Sequence, residues 1–559
     1  MRPVDEIADK FVDEQIALSP ITATYQGVEG HDHEFDDFSP AGAEREAEAG
    51  RRTLAALDAA TPSDEREQVA KDGMVERIAL SLERHDAGDG ADLNVIASPL
   101  QSIRQVFDLM TISGEEQAAN IAARLARVPE ALAGYRETLR EAAAQGRVAA
   151  LRQVKECADQ TDNWNGAEGA DFWTGLVSRV TVDGKAPSDA LAKDLAAGAE
   201  AARRGVAEFG AFLRDELAPQ APEKDAVGPD RYARASRYFL GAAVDLKETY
   251  EWGWQELHRI ETEMRKVARE IVPGGTVDEA VAALDADPAR HIATKEEFQA
   301  WMQELADRTI TELADTHFDI PEPIRRIECC IAPTADGAIY YTGPSEDFTR
   351  PGRMWWSVPN EADGFSTWRE VTTVYHEGVP GHHLQVGQTA YRSELLNRFQ
   401  RQMMWCSGHG EGWALYSERL MDELGYFADP GAKLGMLDAQ AFRAARVIVD
   451  IGVHMELEIP KDNPFGFNPG ATWNASMAWD FMRAHCRIED QMLHFEVSRY
   501  LGWPGQAPSY KVGERIWLQA REDAKARKGA AFDLKAFHTD ALNLGALGLD
   551  PFRKAMDRI

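Results

Sequence analysis

The chain predicts a mainly α-helical protein with one small β-hairpin placed just ahead of a histidine-rich helix. Three observations carry that prediction. Apolar residues recur at helical spacing over most of the 559 residues. Strand-like alternation is nearly confined to residues 338–357. Of the 14 histidines, His376, His382, His383 and His409 crowd together shortly after it.

Taken in order, the first half is rich in Ala and Glu, and residues 191–217 and 254–271 show helical periodicity. Pro219 and Pro222 close one of these helices. Thr294 and Glu297 have the spacing of a capping box, and Phe298, Trp301, Met302 and Leu305 follow on one helical face. Two segments then read as strands, Ala338-Ile339-Tyr340-Tyr341-Thr342 and Arg353-Met354-Trp355-Trp356-Ser357. Gly343-Pro344 and Arg350-Pro351-Gly352 between them supply turns, so the pair predicts a long hairpin. No repeat and no Gly/Ser-rich linker divides the chain. The change of pattern near residue 320 suggests one bilobed unit, with a mainly helical N-terminal lobe at 1–320 and a metal-site catalytic lobe at 321–559.

Composition narrows the partners. Apolar residues make up 44% and charged residues 28%, an ordinary globular balance. Against 61 Lys and Arg stand 93 Asp and Glu, a net charge of -32 that repels nucleic acid and anionic lipid. No apolar run is long enough to span a bilayer. The opening Met1-Arg2-Pro3-Val4-Asp5-Glu6 is acidic where a secretory leader needs a basic start. Five cysteines without a Cys-x-x-Cys pair fit a reducing compartment, so a cytoplasmic location is expected.

The candidate chemistry follows the hairpin. Thr367 and Glu370 have a second capping-box spacing, and Trp368, Val371, Thr372 and Tyr375 share one face of the helix they would start. That helix runs into Tyr375-His376-Glu377-Gly378-Val379-Pro380-Gly381-His382-His383-Leu384-Gln385. Neutral imidazoles and a carboxylate are ligands that zinc favours, and a Glu beside a ligand His can act as general base. Metal-binding helices usually set two His at i and i+4. Here the second comes at i+6, which on an unbroken helix lies about 120° around and roughly 9 Å along from His376. Pro380 and Gly381 suit a break that re-aims His382 into the second ligand position, with His383 as the alternate. Glu411, at the start of a helix among small residues, is the expected third ligand. Glu418, seven residues on, either orients a ligand His or is a solvated surface carboxylate. His409 reads as a loop or supporting residue. Tyr340 and Tyr341 on the hairpin could line a substrate strand or pack in the core.

Along residues 442–454 a polar stripe, Arg443, Arg446, Asp450 and His454, interrupts an apolar helix. It serves either substrate contact, with Arg446 as the candidate, or an internal salt-bridge network.

At these residues the chain resembles the bacterial proteins grouped as domain of unknown function 885, in the zincin-like peptidase clan. The resemblance rests on His376 to Gln385, read as His-Glu-x-x-Pro-Gly-His-His-x-Gln, and on Glu411 to Ala414, read as Glu-Gly-Trp-Ala. It extends to Pro20, Ala23-Thr24, Gly27 and Ser39-Pro40, and to Arg443, Arg446, Asp450, His454, Pro504-Gly505-Gln506 and Tyr510. After His454 the chain departs from the family pattern, reading Met455-Glu456-Leu457-Glu458-Ile459-Pro460. The resemblance implies a helical shell around a deep cleft, with a small sheet beside the active-site helix. It also implies a peptidase binding one Zn2+ through His376, His382 and Glu411, with Glu377 as general base toward a metal-bound water. Tyr510 or His454 would donate a hydrogen bond to the oxyanion, by analogy with the Tyr and His of relatives. A small peptide is the expected substrate. Two other classes remain open, a metal-dependent hydrolase of a non-peptide amide or ester and a non-catalytic helical binding protein.

Overall fold

The computed structural model describes residues 2–332, 339–358 and 364–558. Helices dominate, as the periodicity predicts. Two compact units result. One comprises residues 1–61, 78–231 and 494–504, and the other residues 62–77, 232–493 and 505–559. This division does not follow the change of pattern near residue 320. Residues on either side of that point pack together, because α-helix Lys295–Leu313 covers strand Ile327–Ile331. Two short segments also cross over, so a reading along the chain has no local signal for the division.

The first unit is built around helices α1 (Glu115–Ala144) and α2 (Asp189–Phe212). Their apolar faces supply Ile121, Leu125, Leu132, Val206 and Phe209 to a core completed by Ile103, Phe107 and Trp173. Arg124 is fully buried there and donates to the backbone oxygens of His31 and Glu34 and to the Thr24 hydroxyl. The familiar N-terminal residues are helix punctuation. Ser39 caps a helix with Pro40 at its first position, and Gly27 ends another with φ 68°.

The second unit holds all five strands found among the described residues and the helices that matter for chemistry. These are α3 (Leu246–Ile271), α4 (Lys295–Leu313), α5 (Thr367–Glu377), α6 (His382–Tyr391), α7 (Ser407–Glu423), α8 (Pro430–His454) and α9 (Ser509–Lys528). The predicted hairpin is present. Strand β3 (Tyr340–Thr342) pairs antiparallel with β4 (Gly352–Trp356), Tyr341 opposite Met354. Ala338, expected at the start of that strand, lies outside the described residues. A strand the sequence did not signal, β2 (Ile327–Ile331), pairs parallel to β4 on its other side. Alternate residues Gly352, Met354 and Trp356 face inward, the period of a half-buried strand. Gln299 and Gln303 of α4 hydrogen-bond the β2 backbone, which satisfies the open sheet edge. Strands β1 (His291–Ile292) and β5 (Phe365–Ser366) form a separate two-stranded ribbon leading directly into α5.

Thr294 caps α4 as expected, its hydroxyl accepting from the Glu297 N–H. The second box does not form. Ser366 is the residue before α5, Thr367 Oγ1 bonds the Arg290 carbonyl, and Glu370 accepts from Trp356 Nε1 at 3.2 Å. Among the described residues no helix is long and apolar enough to cross a membrane.

Candidate metal centre

His376 and Glu377 lie in the last turn of α5, and His382 opens α6. Pro380 has no N–H with which to continue a helix, and the chain turns back between the two. Gly381 permits this turn. A Cβ there would sit 1.9 Å from the His376 carbonyl oxygen, so no larger residue fits. The Gly381 N–H donates to Tyr375 O at 3.0 Å and the His383 N–H to Gly378 O at 3.1 Å. Helix α7 holds the break from the other side. Trp413 Nε1 donates to the carbonyls of Pro380 at 2.9 Å and Gly381 at 3.2 Å, and Ser417 Oγ donates to Pro380 O at 3.2 Å.

The break turns two distant imidazoles toward each other. Their ring centroids are 4.8 Å apart and nearly perpendicular. Nε2 of His376 lies 3.3 Å, and Nε2 of His382 3.4 Å, from the same oxygen, Glu411 Oε2. An ion bonded tetrahedrally at about 2.0–2.1 Å keeps its ligand atoms roughly 3.3–3.4 Å apart along each edge. The observed spacings match that edge. Glu377 adds a fourth group, since His376, Glu377 and His382 each offer an atom within 4.8 Å of the others.

Glu418 is buried, which excludes the solvated surface role. Its Oε1 accepts from His376 Nδ1 at 2.7 Å, and its Oε2 accepts from the Thr372 hydroxyl at 2.5 Å. A proton held on Nδ1 leaves the Nε2 lone pair free for a metal.

Charge separates the two glutamates. Burial lifts the Glu377 carboxyl above its ordinary value; His382 and His376 oppose that rise, Glu411 adds to it and Arg443 opposes it. Its Oε2 is buried without a hydrogen-bond partner among the described residues. Burial also acts on Glu411, but His382 and His376 overcome it and hold this carboxyl well below the usual range. Burial pushes His376 down, and its hydrogen bonds to Glu411 and Glu418 outweigh this, bringing it up to about 10. One carboxylate is thus set to stay charged and the other to accept a proton.

The alternate ligand is engaged elsewhere. His383 Nδ1 accepts from the Tyr341 hydroxyl at 2.9 Å, and its Nε2 donates to Ile324 O at 2.7 Å. Burial pushes this imidazole down to about 4, so it stays neutral. Tyr341 is thereby fixed by the neighbour of a candidate ligand, and its phenol, lifted by burial, also feels the Glu377 charge. His409 packs between Trp517 and Phe552, and burial pushes it down to about 3.

Of the remaining expected residues, Arg446 and His454 lie on α8 and Tyr510 at the start of α9. His454 stacks on Tyr232 at 5.6 Å, with Nε2 3.8 Å from Asp450 Oδ1. Asp450 Oδ2 accepts from the Tyr232 hydroxyl at 2.7 Å and the Gly505 N–H at 2.8 Å. The Arg446 guanidinium lies 4.0 Å over the Phe442 ring and 5.1 Å from the Tyr510 ring.

One residue at the metal centre went unread in the sequence. The Trp405 indole lies 6.2 Å from the His382 ring while remaining 54% exposed. Its only sequence signal is the run of glycines at 408, 410 and 412 just beyond it.

Solved structures share this fold, two proteins of named organism among them. One is a protein of Colwellia psychrerythraea provisionally described as a lipoprotein, with TM-score 0.83, 22% identity and coverage of 99% of this chain and 98% of that one. The other is a Shewanella oneidensis protein provisionally described as a lipoprotein of unknown function, with TM-score 0.74, 18% identity and coverage of 99% of each chain. At those identities the likeness speaks for the fold. No curated protein matches the chain. The family model described as bacterial protein of unknown function (DUF885) matches residues 20–556, a span that includes every residue of the centre. This chain belongs to the DUF885 family of bacterial proteins.

Proposed function

We propose that the protein is a zinc-dependent peptidase of the zincin-like kind, hydrolysing peptide bonds of small peptides. The observation that carries this reading is the convergence of His376 Nε2, His382 Nε2 and Glu411 Oε2 at tetrahedral-edge spacing, beside a buried carboxyl with an unpartnered oxygen. The helical fold, with a sheet strand carrying Tyr341 against the ligand segment, supports the expected shell and cleft.

His376, His382 and Glu411 would hold the ion, which when bound supplies Lewis acidity toward a peptide carbonyl and toward water. Glu418 and Thr372 keep the His376 ring in the tautomer that presents Nε2. Glu377 takes a proton from water at its free Oε2 and returns it to the departing amine. Burial lifts its carboxyl, which suits both halves of that transfer. Tyr341, held by His383, lines the substrate strand. Tyr510 or His454 would donate a hydrogen bond to the oxyanion, and Arg446, 5.1 Å from the Tyr510 ring, would contact the substrate.

The five cysteines are free, which suits the cytoplasm as the proposed location.

Elemental analysis of the purified protein is expected to find one zinc per chain, and none in a His376→Ala variant. A panel of quenched peptides and simple esters, with and without chelator, tests the activity. Chelator-sensitive peptide cleavage is expected. Cleavage of esters alone would move the reading to a non-peptide hydrolase, and a metal-free wild type without cleavage would end it.

A further inference from the structure

Trp405 stands where an exposed aromatic has most effect. Its neighbours Met404 and Cys406 are both buried, so the indole projects from anchored backbone. The Cys406 carbonyl accepts from the N–H groups of His409 and Gly410, which locks this residue to the first turn of α7. The indole lies against Gly410, where a Cβ would come within 2.4 Å of the ring, and at 6.2 Å from the His382 imidazole. Gly410 immediately precedes Glu411. The ring therefore borders His382 and the residue that precedes Glu411, while 54% of its surface stays open.

A role as a cover for His382 explains the contact but not the open remainder. Trp carries one of the largest apolar surfaces of any side chain, and folding gains by hiding it. Here a buried anchor on each side and a glycine beneath hold it in place, unhidden, at the edge of the ligand cluster. The nearest acidic residue along the chain, Glu411, is engaged by both imidazoles.

Resting on the peptidase reading, the geometry points to Trp405 as the specificity-determining wall of the site, its open face receiving an apolar, preferably aromatic, side chain beside the scissile bond. Such a side chain would bury part of the indole beside His382.

The test uses the zinc-loaded full chain and two peptides identical except for Phe or Ala beside the cleaved bond. Wild type is expected to favour Phe through KM, and in Trp405→Ala the Phe-to-Ala preference falls about tenfold, the size typical of apolar pocket contacts. Trp405→Phe restores most of it. Zinc content is measured in each variant. Equal loss toward both peptides, loss of zinc, or a wild-type preference for Lys at that position would overturn the inference. Calorimetric binding of the same peptides to Glu377→Gln, with and without Trp405→Ala, gives a readout independent of turnover. If wild type cleaves neither peptide, the peptidase reading falls, and the binding difference alone decides whether Trp405 selects apolar side chains. Absence of that difference overturns the inference.

Discussion

Two buried imidazole–carboxylate clusters lie in the same unit of this protein and are wired in opposite ways. At His454 one carboxylate oxygen is doubly engaged. Asp450 Oδ2 takes both the Tyr232 hydroxyl and the Gly505 N–H, and the imidazole is stacked on a tyrosine. At His376 the supporting bonds all run outward, to Glu418 and from there to Thr372, and the inward atoms converge on a shared point. Burial of polar groups is common to both. What distinguishes the candidate metal centre is that two imidazole nitrogens converge on one carboxylate oxygen at 3.3 and 3.4 Å.

The contrast can be broken by substitution. Glu377→Gln is expected to have the largest effect, lowering peptidase turnover about a thousandfold while leaving zinc content unchanged. A variant that retained turnover would remove Glu377 as the base. Asp450→Ala strands a buried hydroxyl and a buried N–H, so denaturant unfolding should show a loss of about 3 kcal/mol, again with full zinc. Zinc loss from that variant would mean the two clusters are not separable. Glu418→Gln should weaken zinc affinity about thirtyfold in a chelator competition, because the His376 ring loses its charged acceptor. If stability dropped and affinity held, Glu418 would be structural in the same sense as Asp450.

Acidity sharpens the comparison further. His376 is raised from 6.5 to about 10 in the metal-free fold. Its proton therefore stabilises that fold fully below about pH 6.5, and the contribution is lost as pH rises through about 10. A bound ion must displace the proton, so zinc affinity should rise about tenfold per pH unit across this window. A flat titration profile would show that the ring is already neutral.

Much of this was legible in the chain, in proportion to how local each signal is. The helices followed from periodicity, and Thr294 capped α4 as its spacing implied. The hairpin pair Tyr340–Thr342 and Gly352–Trp356 was readable because its residues alternate across a short connection. Strand β2 was not, because Ile-Glu-Cys-Cys-Ile gains strand geometry only by pairing with a partner some twenty residues on. At the metal centre, Pro380-Gly381 announced the break and the seven-residue spacing set Glu411 and Glu418 on one face. The choice between His382 and His383 was closed to sequence, since it depends on Tyr341 and Ile324, which reach His383 through the fold. Asp450 and His454 sat in the expected stripe, yet their partners Tyr232 and Gly505 come from distant segments. Trp405 carried no periodic signal at all.

The Pro380 carbonyl, gripped by both Trp413 and Ser417, has a thermodynamic consequence. It welds the hinge between the histidines to the helix that bears Glu411, so the proposed coordination cage is assembled by the protein's own hydrogen bonds before any ion arrives. Folding has then already met the entropy of ordering the donors, and capture of the ion owes little to refolding. Stripping and reloading should form a closed, reversible cycle around an unaltered scaffold.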